Sequence, residues 1–337
     1  MTVWTPIRPR WTEPVATGAD DFARRNSPAA RLVRLSRVRS LPEETERELA
    51  ITYELMKKTT RTLYERALKK IPEDSKAALH AALDVETSES ARKTLKFMLM
   101  SAQRAEENDT FVCSDSGFPV YFVTIGTNVQ FGGDIKRAIA DAFDELVETI
   151  RPPILKFITN PLTGERSYKG KDIPSVTWDL NSGADYIEIV CSPKALGSGR
   201  WAALEIFSYP TLEQIERFIL ETSIRAGSQH CPPVVIGVGI GGSFDHAAKM
   251  AKEQTLRPFG LINPEPMLAD MEARLTRAVN ETGFGPMGTG GDTTALGVHI
   301  DYAAGHGFTP VAVAFNCWIN RRTCARIYNS GEVEVLE

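Results

Sequence analysis

Cysteine is scarce in this chain: five residues in 337, an odd number, with no Cys-x-x-Cys pair. That excludes a disulfide framework and a local two-cysteine metal clamp. It fits a reducing compartment, with the cytoplasm as the expected location. Long apolar runs are missing too, and none approaches the ~18 residues of a membrane span. The first residues, Met-Thr-Val-Trp-Thr-Pro-Ile-Arg-Pro-Arg, lack the charged-then-apolar order of a secretory signal. Positive charge is not in excess. Against 43 Asp and Glu stand 39 Lys and Arg, a formal net charge of −4, so electrostatics gives no case for a nucleic-acid partner. No internal repeat is present. What remains is an ordinary globular composition, 42% hydrophobic and 24% charged, long enough for a large core in one domain or two.

Local signals divide the chain. Residues 1–39, rich in Pro and Arg, read as a partly ordered extension or as an arm that wraps a partner subunit. Ser40-Leu-Pro-Glu43 is a capping box with Pro inside the first turn, and predicts a helix to about residue 70. A second helical stretch is expected over 75–106. The basic cluster Lys57, Lys58, Arg61, Lys69 and Lys70 reads as the solvated face of this layer. From residue 110 the pattern turns to short β-rich runs, with a strand at 120–125 and a helix from Asp134 to about 149, halted by Pro152-Pro153. Residues 175–178 and 186–191 alternate as an antiparallel pair would. Thr211-Leu-Glu-Gln214 is a second capping box, its helix ending near Gly227. A short strand at 234–236 is expected to feed a glycine loop, 237–242, and a helix over 244–254. A further helix (266–281) and two strands (295–302 and 310–315) follow. The expected fold is mixed α/β: a helical N-terminal layer, then a mixed α/β catalytic region with glycine-rich loops. The expected organisation is an extension (1–39), one domain (40–330) and a C-terminal tail (331–337).

Three cysteines occupy turn-like or polar settings: Cys113 in Val-Cys-Ser-Asp-Ser-Gly (112–117), Cys231 in His-Cys-Pro-Pro (230–233) and Cys317 in Phe-Asn-Cys-Trp (315–318). Thiolate sulfur is the soft ligand that iron–sulfur clusters require. Three thiolates would leave one iron of a cubane open as a Lewis acid for a hydroxyl or carboxylate oxygen. Taken singly, each also reads as a small buried hydrophobe. Cys191 reads as an inert strand residue. Cys324 falls among Arg321, Arg322 and Arg326, whose charge would lower its pKa, although a solvated basic stretch accounts for the same pattern. Asp115, two residues after Cys113, suits proton transfer or the capping of its own turn. His230 and His306 read either as ligands or acids, or as hydrogen-bonded structural residues.

Gly237-x-Gly239-x-x-Gly242 has the dinucleotide pattern between a strand and a helix. The acidic residue expected about 20 positions on is missing, since that region reads Arg257-Pro-Phe-Gly260. Lying six residues after Cys231, the loop suggests carboxylate binding or support of a cluster. A second loop, Gly288-Thr-Gly-Gly-Asp-Thr-Thr294, reads as an anion-binding nest or a plain surface loop.

Several segments together resemble one family over roughly residues 45–325. They are Cys113-x-Asp115-x-Gly117, Cys231-Pro-Pro-x-x-Ile-Gly-Val-Gly-Ile-Gly-Gly242, Gly290-Gly-x-Thr-Thr294, and Pro310-Val-Ala-Val through Asn316-Cys-Trp318 with Arg321-Arg322. The chain resembles the α subunit, or N-terminal half, of class I iron–sulfur hydro-lyases, the fumarases and L-tartrate dehydratases. The resemblance implies a [4Fe–4S] cluster held by Cys113, Cys231 and Cys317, with an open iron that binds substrate. It implies Asp115 as the catalytic acid, and Ser114, Arg151, Gly197, Ser198 and His306 as substrate contacts. The reaction implied is reversible addition or loss of water on a small dicarboxylic acid such as fumarate, malate or tartrate. The chain departs from the family pattern at Ser114, where glutamine is usual, at Tyr168-Lys-Gly-Lys-Asp172 in place of Asn-Thr-Gly-Asp-Asn, and at Gly199-Arg200 in place of Glu-Asn. Ending at Glu337, it lacks the family's swivelling domain, so a separate β subunit and a hetero-oligomer are expected. Alternatives are a cluster-binding regulatory or redox-sensing subunit without hydratase activity, and a dinucleotide-dependent oxidoreductase.

Overall fold

The computed structural model describes residues 49–156 and 158–336. The extension 1–39 and the Ser40 capping box lie outside the described residues. The chain runs through β1 (Ile51–Thr52), α1 (Tyr53–Lys69), α2 (Glu73–Val85), α3 (Glu89–Glu107), β2 (Phe118–Gly126), β3 (Phe131–Gly132) and α4 (Ile135–Thr149). Next come β4 (Ile158–Thr159), β5 (Arg166–Ser167), β6 (Ser175–Asn181), β7 (Tyr186–Lys194), the single turn α5 (Leu196–Gly199), β8 (Ala203–Ser208) and α6 (Leu212–Ala226). The last third holds β9 (Val234–Gly241), α7 (Phe244–Gln254), α8 (Pro266–Asn280), β10 (Ala295–Ala303), β11 (Phe308–Asn316), β12 (Thr323–Tyr328) and β13 (Val333–Leu336). The fold is mixed α/β with helices leading, as expected.

Two sheets organise the molecule. The larger has the order β13-β12-β7-β2-β6, and the smaller β10-β9-β11-β8. β2 is an interior strand, apolar on both faces: Val120, Tyr121 and Val123 are all buried. One face of the larger sheet is covered by α1 and α4, whose Met56, Leu63, Tyr64, Ile139, Phe143 and Leu146 pack on Tyr121, Val123, Ile187 and Ile189. In the smaller sheet β9 alternates strictly. Val234, Ile236 and Val238 face α6 and α8, while the glycines between them face α7.

The structure corrects the expected elements at five places. Among the described residues the first helix is α1, which starts at Tyr53 because Thr52 caps it by accepting from the Leu55 N–H, and residues 51–52 pair with 131–132. The stretch 75–106 is two helices, broken where Ser88 caps Ala91. β6 and β7 are not partners. β2 lies between them, parallel to β6 and antiparallel to β7. Their link crosses the end of β2, held there by Asn128 N–H to the Ala184 carbonyl and Gly183 N–H to Thr127 Oγ1. The glycine loop is instead the continuation of strand β9. A Cβ on Gly237 or Gly239 would lie 2.1 Å from the Ala251 or Ala247 carbonyl oxygen, so these glycines let α7 settle directly on the sheet. The basic stretch after Cys317 is the sheet strand β12, and part of the expected tail is β13.

Candidate active site

Register brings the three cysteine segments to one end of the molecule. β9 and β11 are antiparallel with Asn316 opposite Val235. The residues just before β9, including Cys231, therefore lie beside Cys317 just after β11. Phe118 pairs with Lys194 across β2 and β7, which delivers the 113–117 loop to the same place. Gly117 makes that approach possible: its φ is +76°, and a Cβ would sit 2.4 Å from the Pro193 backbone. Cys113, Cys231 and Cys317 consequently share one packed cluster with Leu79, Leu95 and Met98 of α2 and α3. Cys231 adopts left-handed backbone, φ +56°. Its carbonyl accepts from the Trp318 N–H at 3.3 Å, and the next carbonyl, of Pro232, accepts from Met287 at 2.7 Å.

Two buried cations stand in this region. Lys194, 7% exposed, donates from Nζ to the Phe315 carbonyl, to Asn316 Oδ1 at 2.6 Å and to Ser198 Oγ at 3.4 Å. It ties the end of β7 to the end of β11 just before Cys317. Arg321, 2% exposed, donates from Nη1 to the Asp115 carbonyl at 2.6 Å, and its own carbonyl accepts from Ser192 Oγ at 2.8 Å. Its Nε and Nη2 have no partner among the described residues. Burial pushes the Cys317 thiol up, while Arg321 and Lys194 oppose that shift. The Cys231 thiol is raised by burial, with Cys113 and Asp115 adding to it. Burial lowers Lys194 to about 8, against the pull of Cys317.

No three His, Cys, Asp or Glu among the described residues gather closely enough to hold a single metal ion. A cubane asks for something else. Each thiolate serves a different iron, so the sulfurs need to surround a volume rather than a point. Three soft donors at one end of the fold, beside a buried guanidinium with unsatisfied N–H groups, fit that requirement in donor chemistry and in charge.

The other expected site residues divide. Ser114 is exposed in the same loop as Cys113. Asp115 accepts from the Gly117 N–H at 2.9 Å through Oδ1. Ser198 is buried under Lys194, with Gly197 exposed beside it. Arg151 is exposed after α4 and donates to the Ile150 carbonyl at 2.8 Å. Its segment returns to the 113–117 loop through Leu155 N–H to Ser116 Oγ, 3.3 Å. His306 is not brought in. It precedes β11, whereas Cys317 follows it, and a nine-residue strand separates them by roughly 27 Å. There its ring stacks on Phe308.

Gly241 and Gly242 also lie at that far end, since the Gly242 N–H bonds the Ala303 carbonyl. The glycine run therefore leads away from the cysteines along β9, and Gly241 and Gly242 stand at its far end. The 288–294 loop does lie at the cysteine end. The anion it holds is the chain's own, because Asp292 N–H donates to both oxygens of the buried Glu86 at 3.0 Å. His230 is fully buried against Phe315, with neither ring nitrogen bonded among the described residues. Burial lowers its pKa to about 4. Burial pushes Cys324 up to about 12, outweighing its arginines, and Arg326 is paired with Glu188. Lys194 and Arg321 were not expected as site residues. The available signal was a lysine closing the apolar run of β7, and an arginine four residues after Cys317.

The chain is similar to known proteins over most of its length. The fumarate hydratase (fumerase) family model matches residues 57–326. A Methanocaldococcus jannaschii protein provisionally named as the L(+)-tartrate dehydratase subunit alpha is 36% identical over 276 residues, covering 79% of this chain and 95% of that protein. The L(+)-tartrate dehydratase subunit alpha of Escherichia coli (strain UTI89 / UPEC) is 31% identical over 267 residues, 77% of this chain and 86% of its own length. The subunit of the same name from Shigella sonnei (strain Ss046) is 31% identical over 261 residues, covering 75% and 84%.

Proposed function

The chain belongs to the fumarate hydratase family, and from that premise we propose that it is the α subunit of an iron–sulfur hydro-lyase acting on a small dicarboxylic hydroxy acid of the tartrate or malate type. The observation that carries the reading is the meeting of Cys113, Cys231 and Cys317 in one cluster of contacts, formed by three remote segments. These three would hold a [4Fe–4S] group, which when bound supplies a Lewis acid for the substrate hydroxyl that leaves as water.

The chain's own residues do the rest. Asp115 is anchored on both sides, its carboxylate by Gly117 N–H and its carbonyl by Arg321. A carboxylate held in this way is positioned to take and return a proton at the substrate carbon. Ser114 is exposed beside it and is a short hydroxyl donor for the substrate. The Gly197–Ser198 turn is held by Lys194 and presents backbone at the same end. Arg151, exposed after α4, is the cation for a substrate carboxylate. His306 stays outside the proposal, because it stands at the opposite end of β11. A β subunit, as the relatives' names imply, completes the site.

The test is anaerobic reconstitution of the wild-type chain and of Cys317→Ala, with iron and sulfide quantified, followed by assay with a β subunit on L-tartrate, malate and fumarate. About four irons and four sulfides per chain are expected in the wild type and fewer in the variant. Water loss or addition is then expected only with the β subunit present. Equal metal content in the two folded proteins would overturn the cysteine assignment. A loaded complex inert on every dicarboxylate would overturn the reaction.

A further inference from the structure

Arg321 is an anomaly in this fold. It is 2% exposed, and a guanidinium does not lose its proton in a protein, so it cannot relieve its burial by becoming neutral as a lysine can. No ion pair joins it to any described carboxylate. Its contact with Asp115 is to the backbone oxygen, and its Nε and Nη2 have no partner among the described residues. Lys194 is different, since its three N–H groups are matched by three acceptors. A buried cation without an ion-pair partner is costly, and the single hydrogen bond to the Asp115 carbonyl offsets only part of that cost.

The missing charge is one the cysteines gain on ligation. Thiols bind metal as thiolates and release their protons, so negative charge enters this end of the molecule together with the metal. Resting on the cluster reading above, we propose that Arg321 is the counter-cation of the Cys113–Cys231–Cys317 site, offsetting the thiolate charge and retaining the bound cluster. Two bonds fix its position: Ser192 Oγ to its carbonyl, and Nη1 to the Asp115 carbonyl. The same guanidinium therefore holds the backbone of the proposed proton carrier.

The role has a signature that a structural role lacks: opposite effects with and without metal. The wild-type chain, Arg321→Met and Arg321→Lys would be compared after chelator treatment and after anaerobic reconstitution. The readouts are unfolding temperature and the half-life of iron release to a chelator. Metal-free Arg321→Met is expected to melt at or above the wild-type temperature, because an uncompensated charge has been removed. Once loaded, it is expected to release iron roughly tenfold faster or more, with Arg321→Lys restoring part of the retention. Metal-free Arg321→Met melting well below wild type would assign Arg321 to packing and overturn the proposal. Iron held as long as in the wild type would also overturn it, leaving the cluster reading intact. A wild-type chain that takes up no cluster would instead overturn the cluster reading on which the proposal stands.

Discussion

Asp115 joins the two halves of the proposed chemistry, since one residue's backbone meets Arg321 and its carboxylate faces the loop that Cys113 begins. Asp115→Asn keeps the shape and one acceptor oxygen for Gly117, so the folded state and iron content are expected to stay at wild-type levels. Proton transfer would be lost, and turnover with the β subunit should fall by about 100-fold or more. A steady-state assay beside iron quantitation reads both, and unchanged turnover would remove Asp115 from the reaction. At this scale the sequence was informative about sulfur, silent about Lys194, and marked Arg321 only within the Arg321-Arg322 motif. Cys113, Cys231 and Cys317 stood out because a rare residue type recurred beside turn residues. Lys194 and Arg321 belong to common types, and what distinguishes them is burial, which depends on the strand ends of two different sheets meeting. His306 shows the reverse: close in sequence to the last cysteine, it lies before β11 while Cys317 follows it, so an extended strand separates the two within this chain.

Elements whose signals are local were legible. Asp134 caps α4, the Thr211 capping box closes with both of its bonds, and Pro266 opens α8. Strand partners were not legible, because pairing is decided by segments far apart in the chain. β2 enters between β6 and β7, and β9 between β10 and β11. β12 was hidden because Arg326 and Arg322 suggested solvent, while the buried positions Thr323, Ala325 and Ile327 alternate beneath them. β9 is the instructive case, since its glycines had invited a ligand-binding reading and instead admit a helix. Gly239→Ala would place a Cβ 2.1 Å from the Ala247 carbonyl and less than 3 Å from Met250 Cβ. Overpacking of this kind costs about 1–3 kcal/mol, so its urea midpoint should fall clearly. Gly197→Ala is the control, because no atom lies within 4 Å of a Cβ there, and its midpoint should match the wild type. Equal midpoints for both variants would mean that α7 does not rest on β9 as described.

The two sheets are joined by more than the cysteine end. α7 lies with its alanines on the smaller sheet, and its polar side reaches the larger one. Lys249 pairs with Asp179 of β6, Lys252 lies 5.7 Å from the Phe122 ring centre, and Leu256 packs on Val120 and Phe122. Glu253 sits in this seam, its side chain 31% exposed and its carboxylate 3.7 Å from Lys249. Burial raises its pKa to about 7 from 4.5, with Lys249 opposing and Asp179 and Asp301 adding. An acid raised on folding makes the folded state hold its proton where the unfolded state has released it. Its contribution therefore turns against folding as pH rises from about 4.5 to about 7, and stays unfavourable above that. Glu253→Gln removes the charge and keeps the size. Allowing for its partial exposure, the variant should be more stable than wild type by about 1–2 kcal/mol at pH 8, with the difference vanishing near pH 4. Denaturant unfolding at the two pH values measures this directly. A variant no more stable at pH 8 would mean that Lys249 already neutralises the seam, and that the sheets are held together there by an ion pair rather than in spite of a buried charge.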